Sequence, residues 1–411
     1  MKVLVVHDRY RSAQPSGENT VVEDEVSLLR EHGCDVRLLD VSNDEIASWS
    51  PAKRAGLPVR VVWSREGYRL LRLRAASFGP DVVHIHNTFP LLSPSALWAA
   101  RRSGAAVVQT LHNFRPICPA ATFLREGRIC EACLGRLPWP SLLYGCYRGS
   151  RLATVPIAAA NTFHHLLGTW ARCVDTFIAP SQFTRRKFVD AGWPREKIEV
   201  KYNTARDAGL RRAGNGEGFV CLSRLGPEKG IDVLLAAWAR AFPDGDERLT
   251  LIGSGPSEAA LRTQAAGMKG VEFRGRLDRP DAMRLLGRAR AVIVPSRCYE
   301  GLPRVVVEAY ALGVPVVASR LGALGEVVVH GDTGLLVEPQ TPADLGGALR
   351  RLAGSAELSA RLGSGARRAY ETRFSPRVTM RALLEVYGRA ACSARTSRAA
   401  TAERYAGVGT P

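Results

Sequence analysis

The chain alternates short apolar runs with segments in which apolar residues recur at helical spacing, and no other feature restricts its possible folds as much. Met1–His7 and Ala105–Leu111 are predicted to be buried strands, and Asn19–Glu31 is predicted to be a helix. Strands that are joined through helices lie parallel, with helices on both faces of the sheet. The first half therefore predicts a doubly wound α/β domain, whose other strands are Asp35–Leu39 and Asp81–His86.

The same alternation starts again after about residue 205, which predicts a second domain of the same kind. We place the domains at 1–205 and 206–374, with Ala213–Gly218 as the linker. Ligands of open parallel sheets bind outside the carboxyl ends of the strands, so two such domains facing each other predict a central cleft. The predicted strands of the second domain are Gly218–Leu222, Arg248–Ile252, Val271–Arg274, Ala291–Val294, Pro315–Ala318 and Gly334–Val337. Its predicted helices are Ile231–Ala241, a helix from Ser257, Pro280–Arg288, Arg304–Leu312, Pro342–Ala353 and Glu357–Thr372.

The composition is that of an ordinary soluble protein, since 46% of the 411 residues are apolar and 23% are charged. We expect a cytoplasmic protein, because no apolar run could span a membrane and the N-terminus lacks a signal-peptide core. The net charge of +18 is spread along the chain, so nucleic acid is not an expected partner, whereas attraction to an anionic membrane surface stays open. Residues 392–411 lack apolar periodicity and are expected to form a disordered tail.

One loop of the second domain combines carboxylates with the start of a helix. It ends at Gly301-Leu302-Pro303, and the free amides at the start of the following helix can hold a phosphate. Glu300, just before the helix, would point at the occupant of the cleft, and Glu308, about two turns along, would face a ligand lying beside the helix. The alternative interpretation is a capped helix with one solvated glutamate.

Two cations follow the first strand of the second domain. Arg224 and Lys229 lie on a loop between a strand and a helix, where their charges suit a pyrophosphate; a solvated loop is the alternative. In the first domain, Gly17 lies where a nucleotide-approach loop is expected, in a Ser-Gly-Glu-Asn stretch. That stretch lacks the three spaced glycines of a dinucleotide fingerprint, so an ordinary turn is the alternative.

Together these motifs resemble those of the retaining glycosyltransferases of family four, which use nucleotide-sugar donors and have the GT-B fold. The resemblance covers nearly the whole chain, and the Glu-x7-Glu pattern of Glu300 and Glu308 is its most specific element. Within the Ser16–Glu25 pattern, Ser16 stands where the matching subgroup usually has glycine, and Thr204 stands where the family tends to have glycine. Other segments that look like family signatures are Pro80–His86, Ala179–Phe183 and Gly331–Val337.

The resemblance implies a role for each matching residue. Glu308 would hydrogen-bond the donor ribose, Glu300 would contact hydroxyls of the transferred sugar, and two cations would neutralise the diphosphate leaving group. His112, which follows a strand of the first domain, matches a family histidine near the sugar; closing that strand is its alternative role. The predicted site is catalytic at His112 and Glu300 and donor-binding at Gly17, Arg224, Lys229, Gly301, Leu302, Pro303 and Glu308.

The resemblance also implies how the domains share the reaction. The first domain would hold the acceptor, the second the nucleotide, and a helix at 375–391 would cross back to the first domain. No Asp-x-Asp motif stands in the expected place, so two cations and a helix start would replace Mg²⁺ in a metal-independent transfer. Retention would come from front-face attack assisted by the leaving phosphate. His84 and His86 are expected to be structural.

One stretch of 29 residues in the first domain contains four of the nine cysteines, namely Cys118, Cys130, Cys133 and Cys146. A cytosolic chain does not use such cysteines as structural disulfides. Four thiols with one Cys-x-x-Cys pair resemble a structural zinc site, and the Gly- and Pro-rich insertion at 116–150 would benefit from a metal because it buries little apolar surface. An iron–sulfur cluster and four unligated thiols are the alternatives.

Segment 53–74 interleaves Lys and Arg with apolar and aromatic residues and predicts a basic amphipathic helix. Such a helix could lie on a membrane, although we favour a helix that packs on the core and carries an Arg-rich polar face. Lipid-linked acceptors are common in the family. We therefore expect peripheral contact with the inner face of the membrane, and an acceptor that is lipid-linked or a growing cell-surface glycan.

Three other functions fit the sequence less well than a glycosyltransferase does. A sugar-nucleotide epimerase has the same two-domain plan, but the Glu-x7-Glu helix argues against it. A non-catalytic nucleotide-sugar-binding scaffold for another transferase is disfavoured because Glu300, Glu308, Arg224 and Lys229 are intact. A zinc-dependent nucleic-acid binder would need a concentrated basic surface, which the dispersed charge does not provide.

Overall fold

The computed structural model describes residues 1–12, 16–212 and 214–406. It confirms the predicted α/β fold, because each half of the chain forms a six-stranded sheet whose neighbouring strands pair in parallel. The first half also contains a short antiparallel hairpin. The strands of the first half are β1 (Lys2–Arg9), β2 (Asp35–Ser42), β3 (Val82–Ile85), β4 (Ala106–Thr110), β5 (Leu124–Arg125), β6 (Arg128–Ile129), β7 (Thr176–Ala179) and β8 (Ile198–Val200).

Several helices of the first half begin where a serine hydroxyl caps a free backbone amide. Ser150 accepts from the Ala153 amide and Ser181 from the Thr184 amide, which satisfies donors that the helix itself leaves unpaired. The helices are α1 (Gly17–Glu31), α2 (Glu45–Ser48), α3 (Pro51–Ala55), α4 (Leu57–Val62), α5 (Arg65–Phe78), α6 (Ser95–Arg101), α7 (Pro140–Tyr144), α8 (Arg151–Leu166), α9 (Thr169–Cys173) and α10 (Gln182–Asp190), with a 3-10 turn at Arg195–Lys197.

The second half repeats the alternation. Its strands are β9 (Phe219–Leu222), β10 (Leu249–Ile252), β11 (Val271–Gly275), β12 (Ala291–Val294), β13 (Val316–Ser319) and β14 (Gly334–Val337). Its helices are α11 (Ile231–Ala241), α12 (Glu258–Gln264), α13 (Arg279–Arg288), α14 (Arg304–Leu312), α15 (Leu324–Val327), α16 (Pro342–Ala353), α17 (Ala356–Ala369) and α18 (Pro376–Ala406), with a 3-10 turn at Pro227–Lys229 and a π-turn at Tyr370–Phe374.

The order of the strands determines where ligands can bind. The sheets run β2-β1-β3-β4-β7-β8 and β11-β10-β9-β12-β13-β14. In each sheet the direction of winding reverses beside the first strand of the domain, between β1 and β3 and between β9 and β12. The loops that follow these strands diverge and open a crevice at the carboxyl edge, which is the usual ligand site of such sheets.

The last helix belongs to the core of the first domain. Successive residues of β1 point to opposite faces of the sheet, with Leu4 and Val6 on one face and Val3 and Val5 on the other. The second face is covered by α1 and α18, so the chain returns from the second domain to the first. To this core α18 contributes Met380, Leu383, Val386, Tyr387, Ala390 and Ala394.

The single helix predicted over 53–74 is wrong, because this segment forms α3, α4 and part of α5. The chain breaks at Gly56, and the Ser64 hydroxyl starts a new helix by accepting from the Gly67 amide. Apolar side chains of the segment, such as the fully buried Leu71, pack inward. This agrees with the core-packing interpretation of the segment.

The disordered tail predicted from residue 392 is also wrong as far as Ala406, because α18 continues to that residue. Ala and Arg, which are good helix formers, dominate this stretch, and Ala394 is still buried against the first domain. Residues 407–411 lie outside the described residues. Among the described helices, none combines the length and the apolar character that crossing a bilayer requires.

Candidate functional site

A cleft of about 1300 Å³ lies between the carboxyl ends of the two sheets. The structure brings together in its lining all the residues that the sequence predicts to be catalytic or donor-binding. They are Gly17 and His112 from the first domain and Arg224, Lys229, Glu300, Gly301, Leu302, Pro303 and Glu308 from the second.

Lys229 and Glu300 form an ion pair at the crevice between β9 and β12. Lys229 follows β9 and Glu300 follows β12, and the ammonium donates to Glu300 Oε1 at 2.7 Å. The Ser296 hydroxyl donates to the same oxygen at 2.8 Å. Burial alone would raise the pKa of Glu300, but the Lys229 charge and the hydrogen bonds from Lys229 and Ser296 together lower it. The carboxylate is therefore ionised, and it faces the cleft as an acceptor of hydrogen bonds.

Arg224 stands at the mouth of the same crevice. Its guanidinium donates to Glu228 Oε1 at 2.6 Å, and its side chain is 42% exposed. Gly230 allows this loop to approach β12, since its φ is +66° and a Cβ there would overlap the carbonyl oxygen of Pro295. Two cations, each paired with a glutamate, therefore face the cleft.

Glu308 takes part in a bridge between the domains that no sequence motif predicts. Arg304 donates to Glu308 Oε1 at 2.6 Å and to Asp24 Oδ2, on α1 of the first domain, at 2.7 Å. Arg279 reaches the other oxygen of Asp24 at 3.1 Å. Burial would raise the pKa of Asp24, but the two arginines lower it. The carboxylate predicted to bind ribose thus already holds one arginine.

His112 lies at a close approach of the two domains. A Cβ on Gly301 would be 3.0 Å from the His112 carbonyl oxygen, so glycine lets the second domain approach directly beneath this histidine. His112 Nε2 is 2.8 Å from His86 Nδ1. Burial, and then the neighbouring His86, lower the pKa of His112 well below the usual range, so the imidazole is neutral. His112 lines the same cleft as Glu300.

Glu18 is a cleft residue to which the sequence pattern gave no role. It follows Gly17 in the Ser16–Glu25 pattern, and its side chain lines the cleft although it is nearly buried. Burial raises its pKa to about 8 against the opposing charge of Arg115 and a hydrogen bond from Asn113. Glu18 is therefore protonated at neutral pH and can donate a hydrogen bond to a ligand.

The four clustered cysteines surround the hairpin of β5 and β6, and all nine cysteines of the chain are unpaired. Burial, followed by the charges of Cys118 and Cys146, raises the pKa of Cys133 to about 12. No three of these sulfur atoms, all within the described ranges, lie within 4.8 Å of one another. Cys146 alone of the four lines the cleft.

Two family models match successive parts of the chain. Residues 16–204 match the model described as "Glycosyl transferase 4-like domain", and residues 216–355 match the model described as "Glycosyl transferases group 1". The two matches divide between β8 and β9, so each lies within one half of the chain, and the first begins after β1.

Relatives and solved structures agree with these matches. Glycogen synthase of Mycobacterium tuberculosis is 28% identical over 79% of this chain and 72% of its own length. A GDP-mannose-dependent monoacylated alpha-(1-6)-phosphatidylinositol monomannoside mannosyltransferase of Corynebacterium glutamicum is 38% identical over 29% of this chain and 33% of its own.

Anabaena HepE in complex with UDP and glucose has a TM-score of 0.67 at 19% identity, covering 94% of this chain and 99% of its own. Sucrose-phosphate synthase of Thermosynechococcus elongatus has a TM-score of 0.68 at 17% identity, covering 95% and 98%. At these identities the structural likeness shows the overall fold.

Proposed function

We propose a specific reaction for this chain, which belongs to the family-four-like glycosyltransferases with the GT-B fold and uses a nucleotide-sugar donor. It transfers the sugar from a nucleoside-diphosphate donor to an acceptor, with retention at the anomeric carbon and without a catalytic metal ion. The observation that supports this most directly is the convergence of Arg224, Lys229 and Glu300 opposite His112 in one cleft.

The two cations are suited to hold the diphosphate. When a donor enters, Arg224 and Lys229 exchange part of their contact with Glu228 and Glu300 for phosphate oxygens. As the sugar leaves, negative charge grows on the diphosphate, and preorganised cations stabilise it most in the transition state. Attack from the same face, with the leaving phosphate accepting the acceptor's proton, retains the configuration. Two cations at this place perform the electrostatic work of a divalent ion.

A thermal-shift and turnover screen with UDP-, GDP-, ADP- and dTDP-sugars tests the function. The true donor at 100 times its dissociation constant should stabilise the protein by about 2.7 kcal/mol. Turnover with an acceptor should release the nucleoside diphosphate and give a product with the donor's anomeric configuration. Epimerised nucleotide sugar formed without acceptor, or binding of a donor with no turnover, would instead indicate the epimerase or the scaffold.

We propose that Cys118, Cys130, Cys133 and Cys146 bind one structural zinc ion. The thiols are neighbours in an insertion with little core of its own, and four thiolates are the usual ligands of structural zinc. Because no three of these sulfur atoms, each in a described segment, lie within 4.8 Å of one another, binding must draw the loops closer together.

Metal analysis separates the structural from the catalytic claim. Elemental analysis should find about one zinc per chain, while turnover should persist in EDTA because no divalent ion takes part in the reaction. Cys130→Ser with Cys133→Ser should lose the zinc and lower the unfolding temperature, whereas Cys392→Ser, at an exposed cysteine, should change neither. Zinc-free but equally stable wild-type protein would contradict the zinc site, and loss of turnover in EDTA would contradict metal independence.

We also propose that the first domain rests on an anionic membrane through α8, where it meets a lipid-linked acceptor. This helix exposes an apolar stripe at spacings of three and four residues, and no Asp or Glu occurs from residue 132 to 174. Exposed arginines at 136, 148 and 151 lie in the same region and suit lipid phosphates. The stripe consists of Leu152, Val155, Ala159, Phe163 and Leu166.

The position of α8 connects the membrane with the cleft. Ala153 and Pro156 line the cleft, while Leu152 and Val155, on the adjacent face of the same helix, are exposed. An acceptor head group that leaves the bilayer beside α8 therefore enters the cleft directly. A second copy of the chain is a poorer occupant of this face, because pairing would bring arginine against arginine.

Vesicle sedimentation tests this surface. Wild-type protein should bind vesicles that contain phosphatidylglycerol, more weakly at high salt, and should not bind pure phosphatidylcholine. Leu152→Glu with Phe163→Glu should weaken binding at least about tenfold, since each buried apolar side chain contributes about 1.5–3 kcal/mol. Leu73→Glu, at another exposed leucine, on α5, is the control. Equal binding by the double variant would contradict the proposal.

A further inference from the structure

We propose that Glu25 is a positioning residue that acts through His86 to fix which nitrogen of His112 carries the proton. The inference deepens the proposed function and rests on it only for the meaning of His112, since the arrangement itself is a property of the free protein. It assigns a role to a buried carboxylate that lies outside the cleft and to a histidine that the sequence predicts to be merely structural.

The two imidazoles meet edge to edge. His86 Nδ1 and His112 Nε2 are 2.8 Å apart, the ring centres are 5.1 Å apart, and the planes differ by 21°. Rings stacked face to face would bring their centres closer than this for the same nitrogen separation. The nearly coplanar arrangement puts the lone pair of one nitrogen in line with the N–H of the other, which is good hydrogen-bond geometry.

At its other end, His86 reaches Glu25. His86 Nε2 is 3.3 Å from Glu25 Oε1, a charge–dipole contact outside hydrogen-bond geometry, and neither atom has a hydrogen-bond partner among the described residues. Lys201 pairs with Glu25 Oε2, and His84 Nδ1 lies 3.1 Å from Oε1 while also contacting the Tyr387 hydroxyl at 2.7 Å. All of these side chains are almost fully buried, so water does not compete for these contacts.

The charges of Glu25 and the histidines determine which atom donates in each contact of this series. Burial would raise the pKa of Glu25, but Lys201 and the two histidines hold it well below its usual range, so it is an anion. Burial lowers the pKa of His86 to about 3, so this ring is neutral and has one N–H. That proton must lie on Nε2, because a bare nitrogen would otherwise face the Glu25 carboxylate.

His86 Nδ1 is consequently an acceptor, and His112 must donate from Nε2. Because His112 is also neutral, its Nδ1 carries only a lone pair. No described residue bonds to that nitrogen, and His112 lines the cleft. His112 therefore presents an acceptor to the ligand and selects for a sugar hydroxyl, which can donate, over a substituent that cannot.

Nuclear magnetic resonance on protein labelled with ¹⁵N-histidine tests this without any substrate. Correlation of ring nitrogens with ring protons separates protonated from bare nitrogens. We expect wild-type His112 to be neutral with its proton on Nε2. A wild-type His112 protonated on Nδ1, or charged at neutral pH, overturns the proposal whether or not any variant folds.

Glu25→Gln should reverse the donor and acceptor roles between residue 25, His86 and His112. Lys201 donates toward the Oε2 position, so the glutamine carbonyl will face Lys201 and its amide nitrogen will face His86. The amide then donates to His86 Nε2, His86 donates from Nδ1, and the His112 proton moves to Nδ1. We expect kcat to fall about 10- to 100-fold, as on loss of other orienting partners, with unchanged affinity for the bare nucleoside diphosphate.

Glu23→Gln, at an exposed glutamate on the same helix, is the matched control and should keep the wild-type tautomer and kcat. A folded Glu25→Gln variant that keeps the proton on His112 Nε2 overturns the proposal. So does a metal ion bound by Glu25, His84 and His86, whose ligand atoms lie within 4.8 Å, because the ion would occupy His86 Nε2. If no nucleotide sugar is turned over, the proposed function fails, while the tautomer measurement still decides the role of Glu25.

Discussion

Arg224→Ala is expected to lower turnover by a factor on the order of 10²–10³, equivalent to about 2.7–4 kcal/mol of transition-state stabilisation. The guanidinium faces the cleft, and its partner Glu228 keeps it at the crevice between β9 and β12. Its charge matters most when the diphosphate leaves, so the loss should appear in kcat more than in KM. Single-turnover kinetics with saturating donor measures it.

Arg262→Ala is the matched control for this prediction. Arg262 forms the same type of i,i+4 pair with Glu258 at 2.9 Å, but it is not part of the cleft lining. Its loss should leave turnover unchanged. Lys229→Ala should also reduce turnover strongly, although it leaves the buried Glu300 without its cation, so stability must be measured in parallel. Wild-type turnover in both cleft variants would refute the diphosphate assignment.

Glu300→Gln and Glu308→Gln should separate sugar from nucleotide recognition. Glu308→Gln is expected to weaken the binding of nucleoside diphosphate and donor about 10- to 100-fold, since a hydrogen bond to a charged group contributes about 1.5–3 kcal/mol. Arg304 keeps its contact with Asp24 in this variant, so the bridge between the domains survives. Isothermal titration calorimetry with the correct nucleoside diphosphate measures the change.

Glu300→Gln should have the opposite pattern. Nucleoside-diphosphate affinity should be preserved or improved, because Lys229 is released from its ion pair, while turnover should fall on the order of 10² because the sugar contact is strongest in the transition state. If Glu300→Gln abolishes nucleotide binding while Glu308→Gln does not, the two roles are reversed.

The fold could be predicted because its signals are local. Strand β12 and helix α14 have the predicted bounds, Ala291–Val294 and Arg304–Leu312. A short apolar run and a helical period can be recognised from neighbouring residues alone. The cleft residues could be predicted because a loop that follows a parallel strand must emerge at the carboxyl edge. Gly56 is a signal for a helix break, but the interleaved basic and apolar residues of 53–74 favoured one continuous helix.

The partners of the site residues could not be predicted in the same way. Asp24 and Arg304 are 280 positions apart, and Glu25 and Lys201 are 176 apart. No periodicity relates such pairs. The first arises only when α1 lies against the second domain, and the second only when α1 packs beside the end of β8 in the first sheet. The prediction of a disordered tail from residue 392 was wrong for a similar reason, because α18 is supported by the distant face of the first sheet.

The return of α18 to the first domain also affects how the protein folds during synthesis. One face of the first sheet is finished only by residues up to Ala394, which are made after the whole second domain. At 5–20 residues per second, about 10–40 s separate the end of β8 from that residue. For that time the nascent first domain exposes the part of this sheet face that α18 later covers, so the part of the enzyme that is made first is completed last.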